Sequence, residues 1–297
     1  MNILLTGSSG FLGSVIEKSL KQFNLFTLNR SSGTYILNLS NTIPVFDERF
    51  DLVIHSAGLA HFVPTNQKDS NLFFNNNFLA TKNLLSGLES SKLVKKFVFI
   101  SSVSVYGLQE GILVNEDTPL NAIDPYGKSK VLVEELVINW CKKNGVICTI
   151  FRLPLLVGAN PPGNLGSMIN GIQKGYYCNL SGGAAQKSMV LASDIAKFVL
   201  KAADVGGTYN LTDGYHPNFK ELSILISKQS NIKFVPNIPF FIAKILAVVG
   251  DIIGNKFPIN SDKLKKIIST LTFDDSKARK EFGWNPTPIL IGFNIHE

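Results

Sequence analysis

The 297-residue chain is 45% hydrophobic and 17% charged, the proportions of a folded globular protein with a sizeable core, which excludes a disordered or fibrous chain. Its net charge of +7 comes from scattered lysines whose densest runs are not interleaved with aromatics, a weak nucleic-acid signal that suits an anionic substrate as well, so charge alone does not choose. Cys141, Cys148 and Cys178 have no metal spacing, so no metal centre is expected, and reduced thiols in a cytoplasmic protein are the simplest reading.

The N-terminus lacks the basic start and long apolar run of a signal peptide. Residues 2–6 read instead as a short apolar strand that runs into Thr6-Gly7-Ser8-Ser9-Gly10-Phe11-Leu12-Gly13, after which Val15, Ile16 and Leu20 give a helical stripe. In that context Gly7 allows a tight turn, Gly10 lets the backbone approach a pyrophosphate, and Gly13 lets helix and strand pack closely. The helix N-terminus adds positive potential, so the segment predicts dinucleotide binding. Residues 24–29 read as a second strand, ending at Asn29 with Arg30 behind it. An NAD site usually ends this strand in an acid, so Asn29 followed by a cation makes NADP at least as well suited as NAD.

Further along, residues 51–55 and 97–100 read as buried parallel strands, the first leading into the small residues Ser56-Ala57-Gly58. A helix over 71–88 carries Asn77, and a strand over 146–151 precedes Arg152. Between these last two lies a helix over 126–143, with Asp124 as its cap and Pro125 just inside its start. Tyr126 and Lys130, four residues apart, share a face of it. A nearby ammonium favours phenolate, so the pair predicts an acid/base whose pKa is lowered by its own lysine. Strands alternating with helices define an α/β fold, a Rossmann-type doubly wound parallel sheet over 1–157. The looser remainder, 158–297, predicts a smaller mixed α/β substrate domain, with about 188–211 returning to the first domain. Residues 238–254 are apolar but broken by Lys244 and Asp251, too short for the ~20 residues of a membrane span. They read as a buried or amphipathic helix, with peripheral contact to a membrane or partner as the alternative.

Taken together, Thr6-Gly7-x-x-Gly10-x-x-Gly13, His55-x-Ala57-Gly58, Asn77 before Thr81, Ser101-Ser102 before Val105-Tyr106-Gly107, Pro125-Tyr126-Gly127-x-Ser129-Lys130, Arg152 leading to Gly158, and Phe282-Gly283-Trp284 carry a resemblance over nearly the whole chain. It is to the extended short-chain dehydrogenase/reductases, in their nucleotide-sugar epimerase, dehydratase and 4-ketoreductase branch. The resemblance implies that Tyr126 is the catalytic acid/base, that Lys130 holds the nicotinamide ribose, and that Ser102 hydrogen-bonds the reacting sugar oxygen. It also implies cofactor contacts from Gly7, Ser9, Gly10, Phe11, Leu12, Gly13, Asn29, Arg30, Asn38, Leu39, Ser56, Ala57, Gly58, Asn77, Tyr126, Lys130 and Leu153. His61, Ser102, Ser104 and Lys187 are its candidate substrate contacts, the last toward a nucleotide diphosphate. Relatives often dimerise through the helices over 71–88 and 126–143, with Ile138 and Trp140 either at that contact or in the core.

Departures from the pattern narrow the expectation. Val103 and Ser104 stand where the branch's dehydratases carry an Asp-Glu pair, which argues against a 4,6-dehydratase. Leu155 replaces the asparagine of the familiar galactose epimerases. Residues 114–119, 152–158 and 187–190 are similar to bacterial surface-polysaccharide enzymes. The first expectation is therefore a UDP-4-keto-6-deoxy-N-acetylhexosamine reductase using NADPH. The second is a 4-epimerase of UDP-hexoses or UDP-N-acetylhexosamines that retains NAD, and a non-catalytic cofactor-binding module is the remote third.

Overall fold

Strand β1 (Asn2–Thr6) shows why the chain folds in layers. Its Ile3, Leu4 and Leu5 are fully buried, as an apolar strand covered on both faces requires. Successive side chains point to opposite faces, so Ile3 and Leu5 enter one core and Leu4 the other. The computed structural model describes every residue except His61, Val63, Lys92, Leu93, Asn255, Lys256, Pro258 and Glu297.

After β1 come α1 (Phe11–Ser19), β2 (Asn24–Asn29), β3 (Tyr35–Ile36), β4 (Leu52–His55), α2 (Gln67–Phe73), a π-helical segment (Phe74–Leu79) and α3 (Ala80–Ser90). Then follow β5 (Lys96–Ser102), a 3-10 turn (Val103–Tyr106), β6 (Gly111–Val114), α4 (Pro125–Asn144) and β7 (Ile147–Leu153). The remainder comprises β8 (Leu155–Val157), α5 (Gly163–Gln173), β9 (Asn179–Leu180), β10 (Met189–Leu191), α6 (Ala192–Val205), β11 (Gly207–Asn210) and α7 (Phe219–Gln229). It closes with β12 (Asn237–Ile238), α8 (Phe240–Ile253), α9 (Ser261–Ile268), β13 (Leu271–Phe273), α10 (Ser276–Phe282) and α11 (Ile289–Gly292).

The main sheet has seven strands in the order β11-β7-β5-β4-β1-β2-β3, all parallel. Helices α1 and α6 close one face around Leu12, Ile16, Ile195 and Val199; α3 and α4 close the other around Leu84, Leu85, Val133 and Val137. The chain leaves β1 toward β2 on one side and returns at β4 on the other. Such a reversal opens a crevice beyond the carboxyl ends of the strands. Trp140 joins the second core, where it packs against Phe97 with ring centroids 6.1 Å apart, whereas Ile138 stays exposed.

Short parallel pairs, β8 with β10, β9 with β12 and β6 with β13, assemble the C-terminal part. Its core joins Val157, Leu165, Met168, Leu222 and Ile226. Helix α7 starts with a capping box in which the Asn218 side chain accepts from Glu221 N and the Glu221 carboxylate from Asn218 N. Two features depart from the sequence expectation. The helix over 71–88 runs from Gln67 to Ser90 and passes through a π segment at Asn77. The apolar stretch 238–254 forms a helix as expected, but of the two forms expected it excludes the buried one, because Phe241, Ile245 and Ile252 of α8 are 60 to 81% exposed.

Candidate active site

The glycine loop and the residues after β4 are built against each other. Gly7 has φ +74°, and a Cβ there would lie 2.7 Å from the Ala57 backbone, so only glycine fits. A Cβ on Gly13 would collide with the Gly7 carbonyl. Helix α1 begins at Gly10 with no side-chain cap and no acid in its first turn, leaving its N-terminal N–H groups to an anionic ligand. A cavity over this loop brings together Gly7, Ser9, Gly10, Asn29, Arg30, Asn38, Leu39, Ser56, Ala57 and Gly58. Leu28, Leu37, Ser40, Leu59, Asn76 and Ala80 also line it, and sequence reasoning missed all six. They come from β2, the loops after β3 and β4 and the helix around Asn77, beside the motif residues but outside the motifs.

Asn29 is committed to the loop: its Nδ2 donates to Ser8 Oγ at 2.9 Å and to Ser32 O at 3.1 Å, and its Oδ1 accepts from Ser9 N. Arg30 is exposed at the cavity rim. Phe11 packs beside Gly158, where an added Cβ would lie 3.1 Å from the ring. The Leu12 and Leu153 side chains are buried in the core, so only their backbones are left for a ligand. A loop that a Cβ would block and a helix start without a cap fit the pyrophosphate of a nicotinamide dinucleotide.

Gly58 joins this cavity to the second half of the site. A Cβ on it would lie 3.0 Å from Asn77 Oδ1 and 3.6 Å from Lys130 Nζ. Asn77 sits in the π segment, a helix form that recurs at functional sites. Its Oδ1 accepts from Leu59 N at 2.7 Å, and its Nδ2 donates to Ser129 Oγ at 2.8 Å. Ser129 in turn donates to the Tyr126 carbonyl, tying the loop after β4 to the first turn of α4. Asp124 caps that turn by accepting from Gly127 N at 2.9 Å, and Pro125 follows it. The Tyr126 ring rests on Phe73, with centroids 5.8 Å apart.

Lys130 is buried, donates from Nζ to the Ile100 carbonyl at 2.8 Å, and lies 4.7 Å from the centre of the Phe99 ring. Burial pulls its pKa down to about 8, while the Glu134 carboxylate works the other way. Tyr126 departs from the sequence expectation, because its pKa is raised rather than lowered. Burial pushes it up, contact with the Ser102 hydroxyl pulls it down, and Asp124 raises it further. Desolvating a phenolate outweighs the contact with Ser102. Ser102, at the end of β5, accepts from the N and Oγ of Ser104 at 3.2 and 3.0 Å, which leaves its own proton to donate.

Beneath these groups lies a buried network that the sequence reading missed. Arg152 on β7 forks onto Glu134 of α4, with Nη2 to Oε2 at 2.8 Å, and its Nη1 donates to the Tyr106 hydroxyl at 3.0 Å. Ser101 donates to the same carboxylate, so its hydroxyl points into this network and away from Ser102. A signal was available, since Tyr126, Lys130 and Glu134 follow one another at helical steps of four. His55 is sealed between Thr6 Oγ1 at 2.6 Å and Thr81 Oγ1 at 2.8 Å. Burial, then the Lys130 charge, lowers its pKa to about 3, so it stays neutral. Lys187 lies outside the cavity, half-buried, its pKa lowered by burial with no carboxylate contributing. His61 lies outside the described residues.

Strand order, glycine loop and the Tyr126–Lys130 helix define an extended short-chain dehydrogenase/reductase. The model of the NAD dependent epimerase/dehydratase family matches residues 3–212, and the chain belongs to that family. It is 27% identical to the N-acetyl-alpha-D-glucosaminyl-diphospho-ditrans,octacis-undecaprenol 4-epimerase of Escherichia coli O157:H7, over 93% of this chain and 88% of that one. Among solved structures it resembles the Thermus thermophilus UDP-glucose 4-epimerase in complex with NAD, with TM-score 0.73 and 19% identity over 96% of this chain and 94% of that one. It also resembles RMD of Pseudomonas aeruginosa complexed with NADPH, with TM-score 0.72 and 20% identity over 96% and 93%. These two likenesses carry the fold alone.

Proposed function

We propose that the chain is a sugar 4-epimerase that retains its dinucleotide and acts on an N-acetylhexosamine joined to a diphosphate. The observation that carries the reading is the joint at Gly58, where the cavity over the glycine loop meets the Lys130 ammonium and the Asn77 amide. A dinucleotide whose pyrophosphate rests on α1 would be held there by Gly7, Gly10 and Asn77, with Lys130 toward its second ribose. Bound NAD supplies a hydride acceptor that becomes the donor for the return step.

The chain's own residues handle the proton. Tyr126, as phenolate, accepts the proton of the C4 hydroxyl, and Ser102 donates a hydrogen bond to that oxygen as it becomes a carbonyl. The keto sugar turns over, and Tyr126 returns the proton to the oxygen of the inverted carbon, so protons balance over the cycle. Lys130 favours the phenolate only while it is charged, so activity has an upper pH limit set by a lysine near 8. Lys187, half-buried with no carboxylate to neutralise it, suits the substrate diphosphate.

The sequence expectation placed a 4-ketoreductase first. The full-length kinship to a 4-epimerase favours reversing that order, because both readings use Ser102, Tyr126 and Lys130 alike. They part on cofactor turnover. Mass spectrometry of the nucleotide released on denaturing the purified protein tests the choice. Near-stoichiometric NAD that survives dialysis supports the epimerase, and interconversion of UDP-N-acetylglucosamine or its polyprenyl-diphosphate counterpart should follow. An empty site that binds NADPH reversibly and consumes it on a 4-keto sugar restores the reductase. A protein that binds neither cofactor overturns both.

A further inference from the structure

Helix α8 is built inside out. Its residues toward the body of the protein are small: Ala243, Ala247 and Gly250 are buried, and Gly250 packs so closely that a Cβ would collide with the Ile259 carbonyl. The large apolar side chains lie on the opposite side. Phe241, Ile245, Val248 and Ile252 recur at helical spacing and are 65, 60, 48 and 81% exposed. Ile242, Val249 and Ile253 extend the strip, so the outward face of a fourteen-residue helix is continuously apolar. A soluble surface scatters such residues singly, and a contiguous strip marks a surface made to be covered.

Charge identifies what covers it. Over residues 238–268 there are five lysines against two aspartates and no arginine or glutamate. Lys244 projects from the shoulder of α8 that also carries Asp251, and the Asp251 carboxylate accepts from Ser261 N and Oγ at the start of α9. That shoulder therefore faces α9, where Lys265 and Lys266 are exposed. Helix α9 is fixed beside α8 by Leu264, which packs onto Ala243 and Ala247. The apolar strip is thus bordered along one side by ammonium groups, with the Asp251 carboxylate engaged by Ser261 and Asp262 of α9 exposed among three lysines. Apolar side chains flanked by lysines are the chemistry of a helix lying in the headgroup layer of an anionic bilayer. A fourteen-residue helix is about 21 Å long, short of the ~30 Å hydrocarbon layer, so it lies in the plane and does not cross.

We propose that the α8 face, with the lysines of α9 beside it, docks the protein onto an anionic lipid surface. The inference goes beyond the reading of the active site and is tested without turnover. Sedimentation with vesicles of phosphatidylethanolamine and phosphatidylglycerol, against vesicles of phosphatidylcholine alone, measures it directly. Binding to the anionic vesicles should exceed binding to the neutral ones and fall as salt is raised. The triple variant Phe241→Gln/Ile245→Gln/Ile252→Gln should lose about tenfold or more in partitioning, since each removed side chain withdraws apolar area from the bilayer. Lys244→Gln/Lys265→Gln/Lys266→Gln should lose as much at low salt and little at high salt. Should the first variant fold poorly, Ile252→Trp replaces it, and its emission should shift to the blue with anionic vesicles only. Absence of binding by the wild type overturns the proposal. So does equal binding to both vesicle types, or a dimer seen by light scattering that the triple variant abolishes while vesicles remain unbound.

Discussion

Two regions of this molecule invert each other. Beneath the first turns of α4, polar and charged groups are buried, and each has partners: Lys130 on the Ile100 carbonyl, Asn77 on Leu59 and Ser129, Arg152 on Glu134 and Tyr106. Along α8, large apolar groups are exposed, and the side turned to the fold consists of alanines and a glycine. In the first region desolvation is costly, so geometry is fixed by hydrogen bonds that cannot be given up singly. In the second, burial energy is left uncommitted by the fold and available to something outside it. A side chain's worth to stability should therefore run opposite to its size across the two regions.

The largest effect expected is on rate and not on folding. Tyr126→Phe should lower kcat by about 10²- to 10⁴-fold, the range of a lost general acid/base, with the thermal midpoint nearly unchanged. Ser102→Ala should lower kcat in steady-state assays by a smaller factor with cofactor binding intact, because it removes one hydrogen bond to the reacting oxygen.

Next comes the ion pair. Glu134→Ala should cost about 3–5 kcal/mol in urea unfolding, because it strands the Arg152 cation in the interior. Joint replacement by Glu134→Leu and Arg152→Met should recover much of that loss; if it does not, the network holds the fold by more than charge.

A pH experiment sharpens the same contrast. The folded pKa of Lys130, about 8, lies below its ordinary 10.5, so the folded state binds fewer protons between these values. The cost of burying the ammonium is present in full below about 8 and is relieved as pH rises toward 10.5. Lys130→Met should accordingly flatten the stability profile over that window, which denaturant titration at a series of pH values reads. The smallest effect belongs to α8. Ile252→Gln should leave stability within about 0.5 kcal/mol, whereas Ala247→Leu, on the inward side, should cost about 1–3 kcal/mol by overpacking.

What could be read from the sequence followed the range of the interactions involved. The glycine loop and the first turn of α4 are local devices, written in consecutive residues such as Gly7, Gly10 and Gly13 or Asp124 and Pro125. Asn77 was legible as a residue but not as the occupant of a π segment, since that form depends on Leu59 and Ser129 far away in the chain. The Glu134–Arg152 pair joins α4 to β7 across the sheet, and only the step of four from Lys130 hinted at it. The direction of the Tyr126 pKa was misread because a pattern of charges says nothing about how deeply they lie. For α8, composition predicted a helix, but apolar content alone does not say which face turns inward; the alternation of small and large residues held that information.

The π segment also bears on lengths rather than identities. Upstream, α2 is phased by Phe73 against Tyr126; downstream, α3 is phased by Leu84, Leu85 and Leu88 against the core. A wider turn absorbs an extra residue between the two phases. Deleting one residue from 74–79 would restore an ordinary helix and keep α2 and α3 in phase, but it would close the wide turn that sets Asn77 between Leu59 and Ser129. Phe73 would keep its place on the tyrosine ring, yet Asn77 would leave its partners although every side chain assigned to the chemistry was still encoded. In a lineage of such chains, a one-residue gap at this place would retire the site more surely than many substitutions around it.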